Sequence, residues 1–376
     1  SKDCTNFATT PFALFVQSSF FFVGKIGENQ NKLLILRSFN SIIVSHKMKK
    51  LTVVVPCYNV EDYLCRCLDS LVHQDIPESD YEVIAVDDGS TDSTGEICDR
   101  YAKEYPQVKV VHQANRGVGA ARNAGLDLAQ GKYLLFVDAD DFMVENCFKE
   151  LIDTAEANLL DVLAYHSVDV YDGSPIPLVS EAPKQDIKVQ TGAEYLSENF
   201  MQGPVWWFFT KREIIEKERL RFPEGHMLED SAFTPEVILS AQRMANIGKV
   251  CYYYVQRPSS IMHSRDREHL LTLLDDYIFA YKSVDEVIAK HRHKMDESAY
   301  TRLASRRDSF LYFGIFRALK SGVAKEFYQH LKNDGLLPLR QLDKREFASK
   351  KWNILRLLFN CPALTCGIGK IYGFIR

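Results

Sequence analysis

The chain has 376 residues, enough for two or three domains of ordinary size. An apolar share of 46% and a charged share of 26% describe a globular protein and argue against a disordered or fibrous one. A net charge of −4 gives no global pull toward nucleic acid. The nine cysteines are odd in number and lack zinc-knuckle or thioredoxin-like spacing, so they read as reduced thiols, with Cys57, Cys98 and Cys251 as small core hydrophobes.

Residues 12–23 are rich in Phe but broken by Gln17, Ser18 and Ser19, and are too short to span a bilayer. The stretch before them lacks the basic start of a signal peptide. Met48-Lys49-Lys50 leads directly into a β-branched run. Translation is therefore expected to begin at Met48, with residues 1–47 outside the working fold. A membrane-seeking extension is the alternative.

Residues 51–55 read as a central parallel strand closed by Pro56. Leu64, Cys67, Leu68 and Leu71 then recur at helical spacing. A second strand, 82–86, ends in Asp87-Asp88-Gly89-Ser90-Thr91-Asp92, where Asp92 or Ser93 caps a helix carrying Ile97 and Tyr101. A third strand, 108–112, gives way to Asn115-Arg116-Gly117 and a small-residue helix through Ala120, Ala121, Ala124 and Leu128. The apolar run 133–137 then ends in Asp138-Ala139-Asp140-Asp141. This alternation predicts a doubly wound α/β sheet. Ligands of such sheets sit beyond the carboxyl ends of the strands. Here those ends carry Pro56 and Tyr58, Asp87 and Asp88, Asn115, and Asp138 and Asp140, so the polar outliers converge on one rim.

Three carboxylates within four residues at the end of a buried strand repel one another. A hard divalent cation such as Mg²⁺ or Mn²⁺ would offset that charge, whereas a solvated acidic turn is the bland alternative.

Beyond residue 145 the alternation loosens. A helix to 157 and a strand near 162–168 extend the sheet, and 169–185 reads as a hairpin or loop over the site. Gly203-Pro204-Val205-Trp206-Trp207-Phe208-Phe209 is a dense aromatic cluster. Glu224-Gly225-His226-Met227-Leu228-Glu229-Asp230 leads into a helix from about 231, and residues 250–255 form a further strand. From about 268 to 332 the pattern is helical, which places a domain boundary near 264. There is no internal repeat. Residues 344–376 carry seven Lys or Arg against one Glu, interleaved with Trp352, Leu355, Leu358 and Phe359. That reads either as a membrane-surface segment or as a helix packed on the bundle with a solvated basic face.

In this order, Val54-Val55-Pro56-Cys57-Tyr58-Asn59, the 86–92 motif, Asn115-Arg116-Gly117 with Ala121-Arg122-Asn123-Ala124-Gly125, and Asp138-Ala139-Asp140-Asp141 resemble a family-2 inverting glycosyltransferase of the GT-A fold. Glu229-Asp230 with Phe233 extends the likeness, which covers about 49–263. The resemblance implies a hexosyl- or N-acetylhexosaminyltransferase moving sugar from a UDP-sugar to a glycan or lipid-linked glycan of the bacterial cell envelope. It implies Pro56 and Tyr58 against uracil, Asp88 and then Asp87 accepting the imide N–H, and Asn59 beside them. Glu61 matches the ribose-binding acid, with a first-turn helix carboxylate as its alternative. Asn115 and Arg122 match positions near the nucleotide, although Arg122 could also simply pair with an Asp.

Asp138 and Asp140 are assigned to Mn²⁺ or Mg²⁺, directly or through water, with Ala139 beside the nucleotide and Asp141 in local support. Asp230 is the candidate base for the acceptor hydroxyl, and Glu229 is its neighbour or competitor for that role. Arg257 and Ser260 match a loop over the diphosphate, and His263 matches a further metal or phosphate contact. Trp206 and Trp207 are candidates for the acceptor site, one as a floor for a sugar ring and the other as core. Phe208 and Phe209, standing where the family has polar residues, put that site in doubt.

The expected organisation is a nucleotide-sugar half at 48–150, an acceptor and catalytic half at 151–264, and a C-terminal helical region at 265–376. The expected location is cytoplasmic, at or near the inner face of the plasma membrane. Two alternatives remain: a non-catalytic nucleotide-sugar binding protein, and a sugar-phosphate nucleotidyltransferase. Pro56-Cys57-Tyr58-Asn59 is not the Gly-rich phosphate loop that the second would need.

Overall fold

β-Branched and aromatic runs, buried throughout in the strands 81–87 and 133–136 and partly in their neighbours, form a single eight-stranded sheet. The computed structural model describes residues 48–179, 186–257, 267–339, 357–363, 365 and 367. The strands are β1 (Leu51–Cys57), β2 (Tyr81–Asp87), β3 (Val108–His112), β4 (Tyr133–Phe136), β5 (Phe142–Met143), β6 (Val162–Tyr171), β7 (Phe208–Lys211) and β8 (Met244–Gln256). Their order is β3-β2-β1-β4-β7-β6-β8-β5. β3, β2, β1 and β4 are mutually parallel, as expected from the sequence. β7 then enters antiparallel between β4 and β6, while β6 and β8 run parallel.

The insertion of β7 was not anticipated. It explains the density of Trp206-Trp207-Phe208-Phe209: an interior strand covered on both faces is apolar at consecutive positions, not at alternate ones. Tyr133 of β4 stacks on Phe209 at 4.5 Å between ring centroids. β5 also went unread, because two residues are too few to show a period.

Ten helices surround the sheet among the described residues: α1 (Glu61–Val72), α2 (Thr94–Glu104), α3 (Val118–Leu128), α4 (Phe148–Ala157), α5 (Gly192–Glu198), α6 (Arg212–Lys217), α7 (Asp230–Ser240), α8 (Arg267–His291), α9 (Glu297–Lys320) and α10 (Ala324–Asn333). α1 buries Leu64, Cys67, Leu68 and Leu71, the stripe read from its spacing. α3 is built of small residues because it lies close to β1: a Cβ at Gly125 would collide with the Val54 side chain. α8 packs on α7 and α9 on α5. Lys290 and His291 of α8 each bond Glu236 of α7 at 2.8 Å. No described helix is long and apolar enough to cross a membrane. Cys57, Cys98 and Cys251 are buried, and every cysteine among the described residues is free.

Candidate active site

The parallel registers put Cys57, Asp87 and His112 side by side at the carboxyl ends of β1, β2 and β3. The residues after them therefore share one rim. Asp88 N donates to Cys57 O at 2.9 Å and Gln113 N to Asp87 O at 3.0 Å, so the ladder continues one step into the loops. Val137 N bonds Val54 O at 3.1 Å, which delivers Asp138 to the same edge.

The rim loops are tied to each other by side chains. Asn59, at a φ of 49°, accepts from Thr91 N at 2.8 Å, and its own N donates to Ser90 Oγ at 3.1 Å. Glu61 accepts from Ser93 N at 2.9 Å, and Asp92 accepts from Glu61 N at 3.2 Å. Asn59 and Glu61 thus brace the 88–93 loop, and Tyr58 stands exposed beside them next to half-buried Pro56.

Asp87 and Asp88 are both buried. Asp87 accepts from Ser90 N at 3.0 Å and pairs with His112 Nδ1 at 2.8 Å. These bonds outweigh burial and hold its carboxyl below the usual range. Asp88 accepts from Gln113 Nε2, Arg116 N and Gly117 N at 2.7, 2.9 and 2.8 Å. It therefore shapes the 113–117 loop, on which Asn115 is exposed. Gly117 sits at a φ of 89°, a conformation that a side chain resists.

Arg122 is the hub of the site. Its Nη1 donates to Glu229 Oε1, in a short bond, and to Asp230 Oδ1 at 2.9 Å, while its Nη2 donates to Asp138 Oδ1 at 2.8 Å. The guanidinium is buried and also lies 5.3 Å from the centre of the Phe222 ring. The geometry fits the alternative reading of Arg122, pairing with carboxylates: both its Nη atoms face them and its side chain is buried. Beside it, Asn123 pairs both ways with the Phe222 backbone at 2.9 Å, and Arg116 reaches Glu224 at 2.5 Å. A Cβ at Gly119 would collide with Pro223 O. α3 thus holds the segment leading to Glu229 and Asp230.

Asp138 and Asp140 keep 29% and 22% of their side chains exposed, enough to reach a ligand. Arg257 Nε lies 2.6 Å from Asp140 Oδ2, out of line for a good hydrogen bond, and its guanidinium stands 5.4 Å from the Tyr63 ring centre. Ala139 is buried between the two carboxylates. Asp141 is fully enclosed and accepts from Tyr252 OH at 2.8 Å and Val255 N at 2.7 Å. Tyr252 OH also accepts from Asp138 N at 3.2 Å. Burial, then the neighbouring carboxylates, push Asp140 and Asp141 upward. Burial also raises Asp230 well above its usual value, with Arg122 opposing and Glu229 and Asp138 adding.

Trp206 and Trp207 are corrected as acceptor-binding residues. Trp207 is core, and Trp206 stacks flat on Tyr252 at 4.4 Å and 4°, with Tyr254 at 5.4 Å. Neither offers a ring face to a sugar. Trp206 instead backs the tyrosine that holds the 138–141 loop. Ser260 and His263, with most of 344–376 and all of 1–47, lie outside the described residues.

Tyr252, Asn123 and Asp276 were missed. Asp276 of α8 pairs with His226 Nδ1 at 2.6 Å and accepts from Met227 N at 2.8 Å. A carboxylate within the buried stripe Leu273, Tyr277, Ala280 and Val284 was the available signal.

Five carboxylates cluster here; Asp138, Asp140, Glu229 and Asp230 share the guanidinium groups of Arg122 and Arg257, and Asp141 feels Asp138 and Asp140 beside it. Buried Glu229 Oε2 and Arg122 Nε find no hydrogen-bond partner among the described residues. That excess of negative charge, all on hard oxygen, fits a divalent cation. Among the described residues no group of three or more candidate ligands stands ready to hold one. A cation held by one or two carboxylates would take its remaining positions from substrate oxygens and water, the usual arrangement for Mg²⁺.

Comparison with known proteins agrees with this geometry. The family model for glycosyl transferase family 2 matches residues 52–216. A Bacillus subtilis protein described as uncharacterized glycosyltransferase EpsJ is 34% identical over 215 residues, which cover 56% of this chain and 62% of that one. Glycosyltransferase GlyG of Streptococcus pneumoniae is 33% identical over 226 residues, 57% of this chain and 73% of its own. The crystal structure of S. aureus TarS 1–349 in complex with UDP-GlcNAc superposes with a TM-score of 0.50 at 22% identity, over 75% of this chain and 92% of that one. The last likeness shows a shared fold, the curled and mostly parallel GT-A sheet.

Proposed function

Since the chain belongs to glycosyl transferase family 2, we propose that it moves a hexosyl or N-acetylhexosaminyl group from a UDP-sugar to a hydroxyl of a glycan or lipid-linked glycan, with inversion. The observation that carries this reading is the Arg122 guanidinium, which spans Asp138 on the rim and Asp230 at the head of α7. One rigid cation thus holds a donor-side carboxylate and a candidate base in fixed register.

In this reading Tyr58 stacks on the uracil with Pro56 beneath it. Asp88, and behind it Asp87, shapes the pocket for the base, and Glu61 and Asn59 present the ribose edge. Arg257 offers its fork to the diphosphate, and Ser260 and His263 belong to the same segment of chain. Asp138 and Asp140 hold Mn²⁺ or Mg²⁺, which when bound supplies Lewis-acid stabilisation of the departing diphosphate. Asp230 takes the proton of the acceptor hydroxyl as its oxygen bonds the anomeric carbon. The carbon–oxygen bond to the diphosphate breaks, and its electron pair leaves with UDP. The product is a β-glycoside if the donor is α-linked. Glu229, wholly enclosed, positions Arg122 instead of meeting substrate.

Residues 48–150 form the nucleotide-sugar half, 151–264 the acceptor half and 265–376 the helical region, with the enzyme working at the cytoplasmic face of the cell envelope. The test is Asp230→Asn. UDP affinity should stay within about twofold while transfer falls by about 10²–10⁴-fold, the range for loss of a general base. A variant of near-normal rate removes Asp230 from the role.

A further inference from the structure

Arg257 meets Asp140 through its Nε and rests against the ring of Tyr63, a residue of α1 that the rim motifs do not include. Tyr63 is half-buried, and two guanidinium groups lie against its ring. Arg257 stands 5.4 Å from the ring centre, and Arg66, one turn further along α1, stands 6.0 Å from it. Arg66 lies in turn 4.6 Å from the centre of Phe142, which stacks on Tyr253 at 4.6 Å and 24°. Rings and cations therefore follow one another from Tyr253 through Phe142, Arg66 and Tyr63 to Arg257, and the series ends at Asp140.

Both phenols are anchored. Tyr63 OH donates to Asp172 Oδ2 at 3.0 Å and Tyr253 OH to Pro177 O at 3.2 Å, so the segment after β6 holds both rings. Burial and then Asp172 keep the Tyr63 hydroxyl above its usual range, with Arg257 opposing, so it stays protonated and keeps that bond. An O–H given to a carboxylate polarises the phenol and enriches the ring face that a cation meets. Arg66 Nε and Nη2 are buried and find no hydrogen-bond partner among the described residues. What Arg66 does meet is two rings, Phe142 and Tyr63, and it braces the second against the first.

Asp140 by itself does not fix how Arg257 is aimed. A carboxylate attracts a guanidinium over a range of angles, and Asp140 is also assigned to the cation, so it is not a dedicated counter-charge. A ring against the guanidinium sets its plane and makes no demand on Asp140. We propose that Tyr63 is a positioning residue that holds the Arg257 fork toward the donor diphosphate, with Asp172 and Arg66 fixing Tyr63. This rests on the glycosyltransferase reading and adds a residue that acts on the leaving group through Arg257 alone. It also ties the segment after β6, in the acceptor half, to the grip on the donor.

Titration calorimetry on the full chain tests it, with UDP and uridine as the probes and Mn²⁺ present throughout. Tyr63→Leu removes the ring and should weaken UDP about 5- to 30-fold, the span of a cation–π contact as it loses water. Uridine, which lacks the diphosphate, should bind this variant as it binds the parent, which also shows that the variant is folded. Tyr63→Phe keeps the ring and loses only the bond to Asp172, so it should weaken UDP less than about threefold. Arg257→Gln should weaken UDP at least as much as Tyr63→Leu, and the two together should cost less than about twofold more than Arg257→Gln alone. The proposal is overturned if Tyr63→Leu leaves UDP affinity unchanged, weakens uridine equally, or adds its full loss to that of Arg257→Gln. It is overturned as well if Tyr63→Phe binds UDP as poorly as Tyr63→Leu. If the parent binds UDP no more tightly than uridine, the glycosyltransferase reading itself is what falls.

Discussion

Asp276 gives the sharpest test of how the base is held. It projects from α8, is 3% exposed, and grips the 223–229 loop through His226 and the Met227 N–H. His226 in turn lies flat on Phe279 at 3.6 Å and 5°. Bonds to a charged group contribute about 1.5–3 kcal/mol each. Asp276→Ala therefore removes roughly 3–6 kcal/mol of loop restraint. Asn123 and Arg116 still hold Phe222 and Glu224, so the loop should loosen near Asp230 without the sheet unfolding. A base displaced by about 1 Å costs on the order of 10²-fold in rate. Asp276→Asn keeps the shape and an acceptor for Met227 N, so it should fall between parent and Ala. The assay is slow hydrolysis of a UDP-sugar, with UDP affinity by calorimetry on the same samples. The expected pattern is a rate loss of about 10²-fold for Ala, less for Asn, with UDP affinity unchanged. Hydrolysis by Asp276→Ala within twofold of the parent refutes the clamp, and a matching loss of UDP affinity means the damage is global.

Other expectations are narrower. UDP should bind more tightly with Mn²⁺ than with EDTA, and metal-independent affinity would take Asp138 and Asp140 out of their role. The rate should rise with pH through the ionisation of Asp230, because a base acts only when unprotonated. Burial, opposed by Arg122 and assisted by Glu229 and Asp138, places that acid limb above the ordinary carboxylate range. A limb at the ordinary value of about 4 contradicts this. Trp206→Ala should cost about 3–5 kcal/mol, the usual loss for a buried aromatic, read as a lower denaturation midpoint. Because Trp206 backs Tyr252, Mn²⁺-dependent UDP binding should weaken too; a stability loss with intact UDP binding would sever that link.

The parallel half of the sheet was legible because its signals are local. Each strand from 51 to 137 is a short β-branched or aromatic run that stops at a polar residue, and parallel register then brings those stops together. The second half was harder. Phe208–Lys211 is four residues long and joins β4 to β6 across gaps in sequence that periodicity does not see. Trp206 illustrates the consequence. An aromatic residue near a sugar site reads equally well as floor or as core, and only the partner on its face, Tyr252 from a strand 46 positions later, decides.

Arg122 shows the same limit at the level of charge. Its motif identified it as a site residue, but not which way its five donors point. Burying a guanidinium is costly unless its charge is paired, and here three carboxylates from two distant segments pair with its two Nη atoms. A lysine offers a point charge, which cannot address Asp138 and Asp230 from separate nitrogens as the planar fork does. The carboxylates at 138–141 looked anomalous in the sequence because their counter-charge lies elsewhere in the chain. Arg122 from α3 and Arg257 after β8 supply part of it, and the shortfall that remains is on the exposed side of Asp138 and Asp140, where a cation and a diphosphate can enter. Asp141 and Glu229, enclosed by Tyr252 and Arg122, have no such opening. Exposure thus separates carboxylates that can meet substrate from those that hold the site, a distinction that spacing alone did not carry.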